Sequence, residues 1–204
     1  MRGEREDVKV IGLTGTSGSG KGYVCSVFAE LGISSIDTDA LVHALYESCT
    51  ECKDELAKEF GCDIFDSCGT VRRKVLAAKV FSDRSRLASL NHIVHKYVIR
   101  ECESIIKKAA DRGDRAIIVD APQLFEAKMD ERCDLVIAVV ADVEIRRARL
   151  AKRDAITPEE IDRRIRNQHT DSFFAEKADY VIENNGTADI KSAVMNILAS
   201  EGLL

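Results

Sequence analysis

The chain has 204 residues, 45% of them hydrophobic and 32% charged, with a formal net charge of −5 at neutral pH. That length and balance fit one globular domain with an insertion or two, and the acidic excess argues against general nucleic-acid affinity. No apolar run is long enough to span a bilayer, and Met1–Asp7 is charged and lacks the apolar core of a secretory signal. Seven scattered cysteines, an odd number, fit free thiols, so a cytoplasmic protein is expected, monomeric or weakly oligomeric.

Taken in chain order, Val8, Val10 and Ile11 read as a buried strand, and Val24, Val27, Phe28 and Leu31 share one helical face. Between them lies Gly15-Thr16-Ser17-Gly18-Ser19-Gly20-Lys21, which matches the phosphate loop G-x-x-x-x-G-K-[ST] up to its last letter. There Gly22 stands, followed by Tyr23. The glycines let successive N–H groups turn onto an anion; the helix N-terminus adds a partial positive charge and Lys21 a full one. Gly32 is a natural terminator of that helix.

Ser34–Asp37 reads as a short strand leaving through Asp37-Thr38-Asp39. One of the two carboxylates is expected to cap the helix starting near Ala40, leaving the other for chemistry at the carboxyl edge of the sheet. From Lys53 to Ala110 the pattern is helical, broken at Gly61 and at the turn Asp66-Ser67-Cys68-Gly69. Cys49 and Cys52 have a metal-like spacing, but Cys62 and Cys68 do not form the second close pair that zinc sites show.

Ala116–Asp120 is a buried strand ending in a carboxylate, in the manner of a Walker B strand, and Leu135–Val140 is another. Asp142 is the expected N-cap of a helix carrying Arg146, Arg147, Arg149, Lys152 and Arg153. Thr157-Pro158-Glu159-Glu160 has the form of a capping box with proline at N1, opening a helix with Arg163, Arg164 and Arg166. These basic helices read either as solvated faces or as a lid that brings arginines over transferring phosphates. Tyr180–Glu183 is a last strand, and Thr187 is the expected cap of a final helix. Strands alternating with helices predict an α/β fold with a parallel sheet of about five strands.

Together these motifs resemble the dephospho-coenzyme A kinase family. The resemblance rests on Ile11–Lys21, the D-x-D at Asp37 and Asp39, the R-K-x-L…V-F-S-D stretch from Arg73 to Asp83, and His95. It continues through the P-x-L-F-E run Pro122–Glu126, the R-L-x-x-R-D run Arg149–Asp154, the R-I-x-x-Q run Arg164–Gln168, and the N-x-G at Asn184 to Gly186. It implies one P-loop kinase domain over 1–204, with a nucleotide core of 8–52, 113–141 and 178–204, a helical acceptor-binding insertion of 53–112 and a lid of 142–177.

The implied reaction moves the γ-phosphoryl group of ATP, with Mg²⁺, to the 3′-hydroxyl of dephospho-coenzyme A. The resemblance gives the nucleotide to Gly15 through Tyr23 (Gly15, Thr16, Ser17, Gly18, Ser19, Gly20, Lys21, Gly22, Tyr23) and to Asn184 and Gly186. Lys21, Asp39, Arg149 and Arg153 are the implied catalytic set. Asp37, Arg73, His95, Pro122 and Leu124 lie on the acceptor side, and Asp39 and Asp120 hold the metal through water. Neither nucleic acid nor membrane is an expected partner. The chain departs from the family pattern at Gly22 and Tyr23, at Thr16, at Arg72 and at Lys96. A nucleoside or nucleoside-monophosphate kinase, or a non-catalytic ATP-binding regulator, would share the core.

Overall fold

The structure is a computed structural model that describes residues 8–80 and 83–204; the leading heptapeptide Met1–Asp7, with Phe81 and Ser82 of the V-F-S-D run, lies outside the described residues. The chain divides into two units, one formed by the residues through Ile36 together with Ile106–Leu204, the other by Asp37–Ile105.

The first unit is built on a five-stranded sheet of order β2-β3-β1-β4-β5, from β1 (Lys9–Gly15), β2 (Ser34–Asp37), β3 (Ala116–Asp120), β4 (Leu135–Val140) and β5 (Tyr180–Glu183). β1 runs parallel to β3 and β4, and β4 runs parallel to β5. Continuous apolar runs in β1, β3 and β4 follow from burial on both faces. One face carries α1 (Lys21–Glu30) and α9 (Ile190–Ser200), and Ile11, Leu13, Phe28, Ile137, Val194 and Leu198 meet there with almost no exposure. On the other, Phe125, Phe173 and Phe174 pack beside Ala138 and Val140, with Phe173 and Phe174 contributed by α8 (Asp171–Lys177). Two carboxylates extend the ladder: Asp134 Oδ2 accepts from Val10 N and Asp179 Oδ2 from Val136 N, each at 2.7 Å.

Between β4 and α8 lie α6 (Val143–Asp154) and α7 (Pro158–Arg166) in chain order. The capping box at Thr157 is formed in full, with its side chain accepting from Glu160 N and the Glu160 carboxylate accepting from Thr157 N. Two expected caps differ. Asp142 occupies the N-cap position of α6 without a side-chain cap bond. The cap of α9 is Asp189, whose carboxylate accepts from Ser192 N, because the turn after Asn184 runs two residues past Thr187 before the helix begins.

The second unit holds α2 (Thr38–Ser48), α3 (Thr50–Phe60), a short 3₁₀ turn (Cys62–Ile64), α4 (Arg73–Val80) and most of α5 (Arg84–Asp111). It begins at Asp37 and so takes in α2, which the sequence reading had grouped with the nucleotide core. Its core is Leu45, Tyr46, Cys52, Leu56, Phe60, Ile64, Leu76, Val94 and Tyr97. Glu55 binds both Lys96 Nζ (2.5 Å) and the Tyr97 hydroxyl (2.9 Å), so the lysine that departs from the family pattern has a local partner. The turn at Asp66 is closed by its carboxylate, which accepts from Cys68 N and Thr70 N. None of the seven cysteines is joined in a disulfide. Among the described residues no helix is long and apolar enough to cross a membrane.

Gly12, in mid-β1, shows how tightly the strand is sandwiched: a Cβ there would lie 2.9 Å from both Cys133 Sγ and a Leu124 methyl. Leu124 is fully buried and has no room to withdraw. Gly12→Ala is therefore expected to lower unfolding stability by about 1–3 kcal/mol, the usual cost of overpacking, read from urea denaturation. An unchanged midpoint would show that the layer has slack.

Candidate active site

β1 ends at Gly15, and the chain then wraps back so that α1 starts at Lys21. Gly20, at the N-cap of α1, has φ 96°, and a Cβ there would fall 2.3 Å from Asn184 Nδ2, so both conformation and space demand glycine. Gly18 is left-handed too (φ 82°), and a Cβ on it would press on the Arg146 backbone.

The carbonyls of the loop are held from outside. Ser17 O accepts from Arg146 Nε at 3.1 Å. Gly18 O and Ser19 O accept from Arg149 Nη1 at 3.2 and 3.0 Å. Ser19 O also accepts from Asn184 Nδ2 at 2.8 Å, while Asn184 Oδ1 accepts from Arg149 Nη2. In a trans peptide the C=O and the following N–H point in opposite directions, so carbonyls drawn outward turn the amides of Gly18 and Gly20 inward. Gln168, just beyond α7, completes the brace: its Oε1 accepts from Ser17 N (3.0 Å) and its Nε2 donates to Ser17 Oγ (2.8 Å).

Lys21 Nζ lies 4.0 Å from Asp120 Oδ1 at the end of β3, with both side chains largely sheltered. The Cys25 thiol, one turn further along α1, lies 3.6 Å from the other Asp120 oxygen. Thr16 Oγ1 and Ser19 Oγ are buried without a protein hydrogen-bond partner, as befits groups whose partner is a ligand oxygen. A cavity of about 450 Å³ opens beside the loop, lined by Gly18, Gly20, Arg149, Lys152 and Arg153. Arg149, Lys152 and Arg153 bring positive charge to its lining, which suits an anionic ligand.

The first unit thus brings together Gly15 through Lys21, Asp120, Arg149 and Asn184. Arg153 lines the cavity but forks onto Asp154, which also binds Arg164. These two guanidiniums, Arg153 first, hold the Asp154 carboxyl down at about 2, so it stays charged at any pH of assay. Gly22 has nothing within 4 Å of where its Cβ would be, and Tyr23 is 58% exposed. Leu124 is core, Pro122 O lies 3.5 Å from Thr14 Oγ1, and Gly186 sits in a turn at φ 87°. Asn184, expected at the adenine edge, has its carboxamide engaged by the loop and by Arg149.

In the second unit, Asp37 is the cap, its Oδ1 accepting from Ala40 N at 3.0 Å. Asp39 is exposed in the first turn of α2. Arg73 Nη1 lies 2.9 Å from the His43 ring, and His95 is half-buried on α5. Burial, and then Cys52, push the neighbouring Tyr46 hydroxyl up to about 12, which keeps it neutral beside Arg73.

Arg146 and Gln168 were not singled out as site residues by sequence. A signal was present for the first: Arg146, Arg149, Leu150 and Arg153 recur at i, i+3, i+4, i+7, one face of α6, and Arg146 and Leu150 are its buried residues. Gln168 appeared only as the last letter of a run.

Comparison with known proteins agrees with this geometry. The dephospho-CoA kinase family model matches residues 9–189. A dephospho-CoA kinase of Corynebacterium glutamicum is 36% identical over 191 residues, covering 94% of this chain and 96% of the relative. The Thermus thermophilus protein TT1252 superposes with a TM-score of 0.83 at 28% identity, covering 96% of this chain and 98% of that one. A dephospho-CoA kinase from Campylobacter jejuni shares the fold with a TM-score of 0.68 at 21% identity, covering 96% of this chain and 98% of that one.

Asn184→Ala removes a buried donor from Ser19 O and a partner from Arg149. It is expected to weaken ADP binding about tenfold, the scale of one lost buried hydrogen bond, while the far-ultraviolet spectrum stays unchanged. Equal affinity by titration calorimetry would mean that the loop keeps its shape without the brace.

Proposed function

The chain belongs to the dephospho-CoA kinase family, and from that premise we propose that it transfers the γ-phosphoryl group of ATP to the 3′-hydroxyl of dephospho-coenzyme A. One observation carries the reading: the family model matches residues 9–189, a span that includes Lys21, Asp39, Arg73, His95, Asp120, Arg149 and Arg153 alike.

Phosphoryl transfer through a loose transition state asks for positioning and charge stabilisation rather than strong base chemistry. In this reading the inward amides of the loop and Lys21 bind the β- and γ-phosphates. Lys21 exchanges the Asp120 carboxylate for phosphate oxygens. Arg149 keeps the loop in shape and, with Arg153, adds positive charge along the cavity. Asp39, left free by the Asp37 cap, orients the acceptor hydroxyl and accepts its hydrogen bond. Arg73 and His95 are proposed to hold the acceptor, with the exposed Pro122 beside the strand end; Leu124, fully buried, is core and has no part in it.

The residues fit a magnesium ion that arrives with the nucleotide. Asp120 supplies a carboxylate beside Lys21, and no group of three or more ligating side chains among the described residues would hold a metal by itself. When bound, Mg²⁺ would supply positive charge to offset that of the phosphates. Asp120, and Asp39 in the acceptor-bound enzyme, are proposed to steady its waters.

The test is a coupled ADP-release assay with and without dephospho-coenzyme A. ADP release that depends on the acceptor is expected. Lys21→Ala should abolish it to within the background, and Asp39→Asn should lower kcat by about 10²-fold or more with little change in ATP affinity. ATP consumption indifferent to the acceptor would sink the assignment, and a mild Asp39→Asn with a severe Asp37→Asn would exchange their roles.

Gly22→Ser probes the missing hydroxyl, and the open space at that position admits the side chain without a clash. The variant is expected to need less Mg²⁺ for half-maximal rate and to gain a few tenths of a kcal/mol up to about 1 in helix stability. Titrating the metal far below the melting range separates the two effects. An unchanged Mg²⁺ dependence would show that the ion has no use for a ligand there.

A further inference from the structure

Arg146 and Arg149 differ from the other arginines of their stretch in bonding to neutral oxygens of and around the loop, and of the two Arg146 is the more buried. Arg147 is paired with Glu144 and Asp162, Arg153 and Arg164 share Asp154, and Arg163 faces Glu160. These are exposed or half-exposed side chains with ordinary surface partners. Arg146 is 5% exposed, and among the described residues its single carboxylate within 4 Å is Asp171, at 3.7 Å and itself 46% exposed. Its shorter contacts are neutral: Ser17 O at 3.1 Å and Gln168 Oε1 at 3.3 Å. A charge this buried is normally matched at close range, because removing a guanidinium from water costs several kcal/mol. Consistently, burial pulls its pKa down and Asp171 restores only part.

The position of this poorly matched cation is informative. It sits behind the phosphate loop, on the outward carbonyl of the Ser17–Gly18 peptide, whose N–H faces the inside of the loop. We propose that Arg146 is a third positive charge of the polyphosphate site, acting on the bound nucleotide through that peptide without touching it. Its missing counter-charge is then the di- or triphosphate itself, so the site is completed electrically only when the nucleotide binds. Arg146 is in this sense a positioning residue: it turns the Gly18 amide inward and polarises it toward the anion. The inference rests on the loop being the nucleotide site, as proposed above.

The charge and the hydrogen bond can be separated. Arg146→Gln keeps an N–H donor for Ser17 O and removes the charge; Arg146→Lys keeps the charge. Binding of ADP and AMP to the full chain is measured by calorimetry, and melting with and without saturating ADP by fluorimetry. Arg146→Gln is expected to lose about tenfold in ADP affinity and clearly less for AMP, while Arg146→Lys stays closer to the unsubstituted protein. Without nucleotide, Arg146→Gln should melt at or above the unsubstituted protein, yet gain a smaller rise on ADP. Asp171→Asn, which strips the cation of its one nearby carboxylate and leaves the loop alone, should bind ADP about two- to threefold more tightly.

A merely structural Arg146 gives the opposite pattern: a lower melting point without ligand, and equal losses for ADP and AMP. Either that pattern, or unaltered ADP affinity in Arg146→Gln, overturns the proposal. Weaker ADP binding by Asp171→Asn overturns it as well, and needs no substitution at Arg146. If the unsubstituted protein binds neither nucleotide, the functional reading fails first, and by a different result.

Discussion

The direction of three carbonyls governs this molecule. Ser17, Gly18 and Ser19 present their oxygens away from the loop interior, to Arg146, Arg149 and Asn184. A backbone oxygen turned inward would face a phosphate oxygen, like against like. The anion site proposed at the loop depends on the guanidinium and carboxamide donors that draw those oxygens outward. The glycines follow from this constraint: Gly18 and Gly20 adopt left-handed backbone, and each lies where a Cβ would collide with the residue doing the pulling.

The donors come from far along the chain. Arg146 and Arg149 lie on α6, Gln168 follows α7, and Asn184 follows β5, so about 130 to 165 residues separate each from its partner in the loop. The parallel sheet makes the meeting possible. β1, β4 and β5 run in one direction, so their carboxyl ends deliver Gly15, the start of α6 and Asn184 to one edge. Asn185 Oδ1 accepts from Asp142 N, tying the turn after β5 to the first residue before α6. The geometry of the binding loop is therefore a property of the whole first unit, and only its strand–loop–helix outline is local.

This division explains what could be read in advance. The loop, the strand–helix alternation, the capping box at Thr157 and the stop at Gly61 each depend on residues within a few positions of one another, and sequence carries them. Local chemistry left the choice between Asp37 and Asp39 open, since either carboxylate reaches a first-turn amide; the structure gives the cap to Asp37. The expected cap at Thr187 gives way to Asp189, because the length of the turn before the helix is not set by local composition. The arginines were hardest. Five basic residues on one helix look alike by charge, and only tertiary packing sorts Arg146 into the interior, Arg149 onto the loop and Arg153 onto a surface carboxylate. The resemblance gives Asn184 to the nucleotide, and its bonds to Ser19 and Arg149 are invisible in sequence because those partners lie on distant elements.

The same constraint makes sense of Gly22 and Tyr23. A hydroxyl after the lysine would act on the inner side of the loop, as a ligand, and has no part in drawing carbonyls outward. Its loss leaves Arg146, Arg149, Asn184 and Gln168 in place, and nothing crowds the position: the Cβ site of Gly22 is open and the Tyr23 ring is turned largely to solvent. Glycine in the first turn of α1 carries a cost in helix propensity, so the substitution is not a gain in local stability. What survives is the part that shapes the loop, together with the Lys21–Asp120 pair at its mouth. The loop's architecture and the proposed metal chemistry are thus separable in this chain: the brace around the carbonyls shapes the loop, and the residue after the lysine takes no part in that brace.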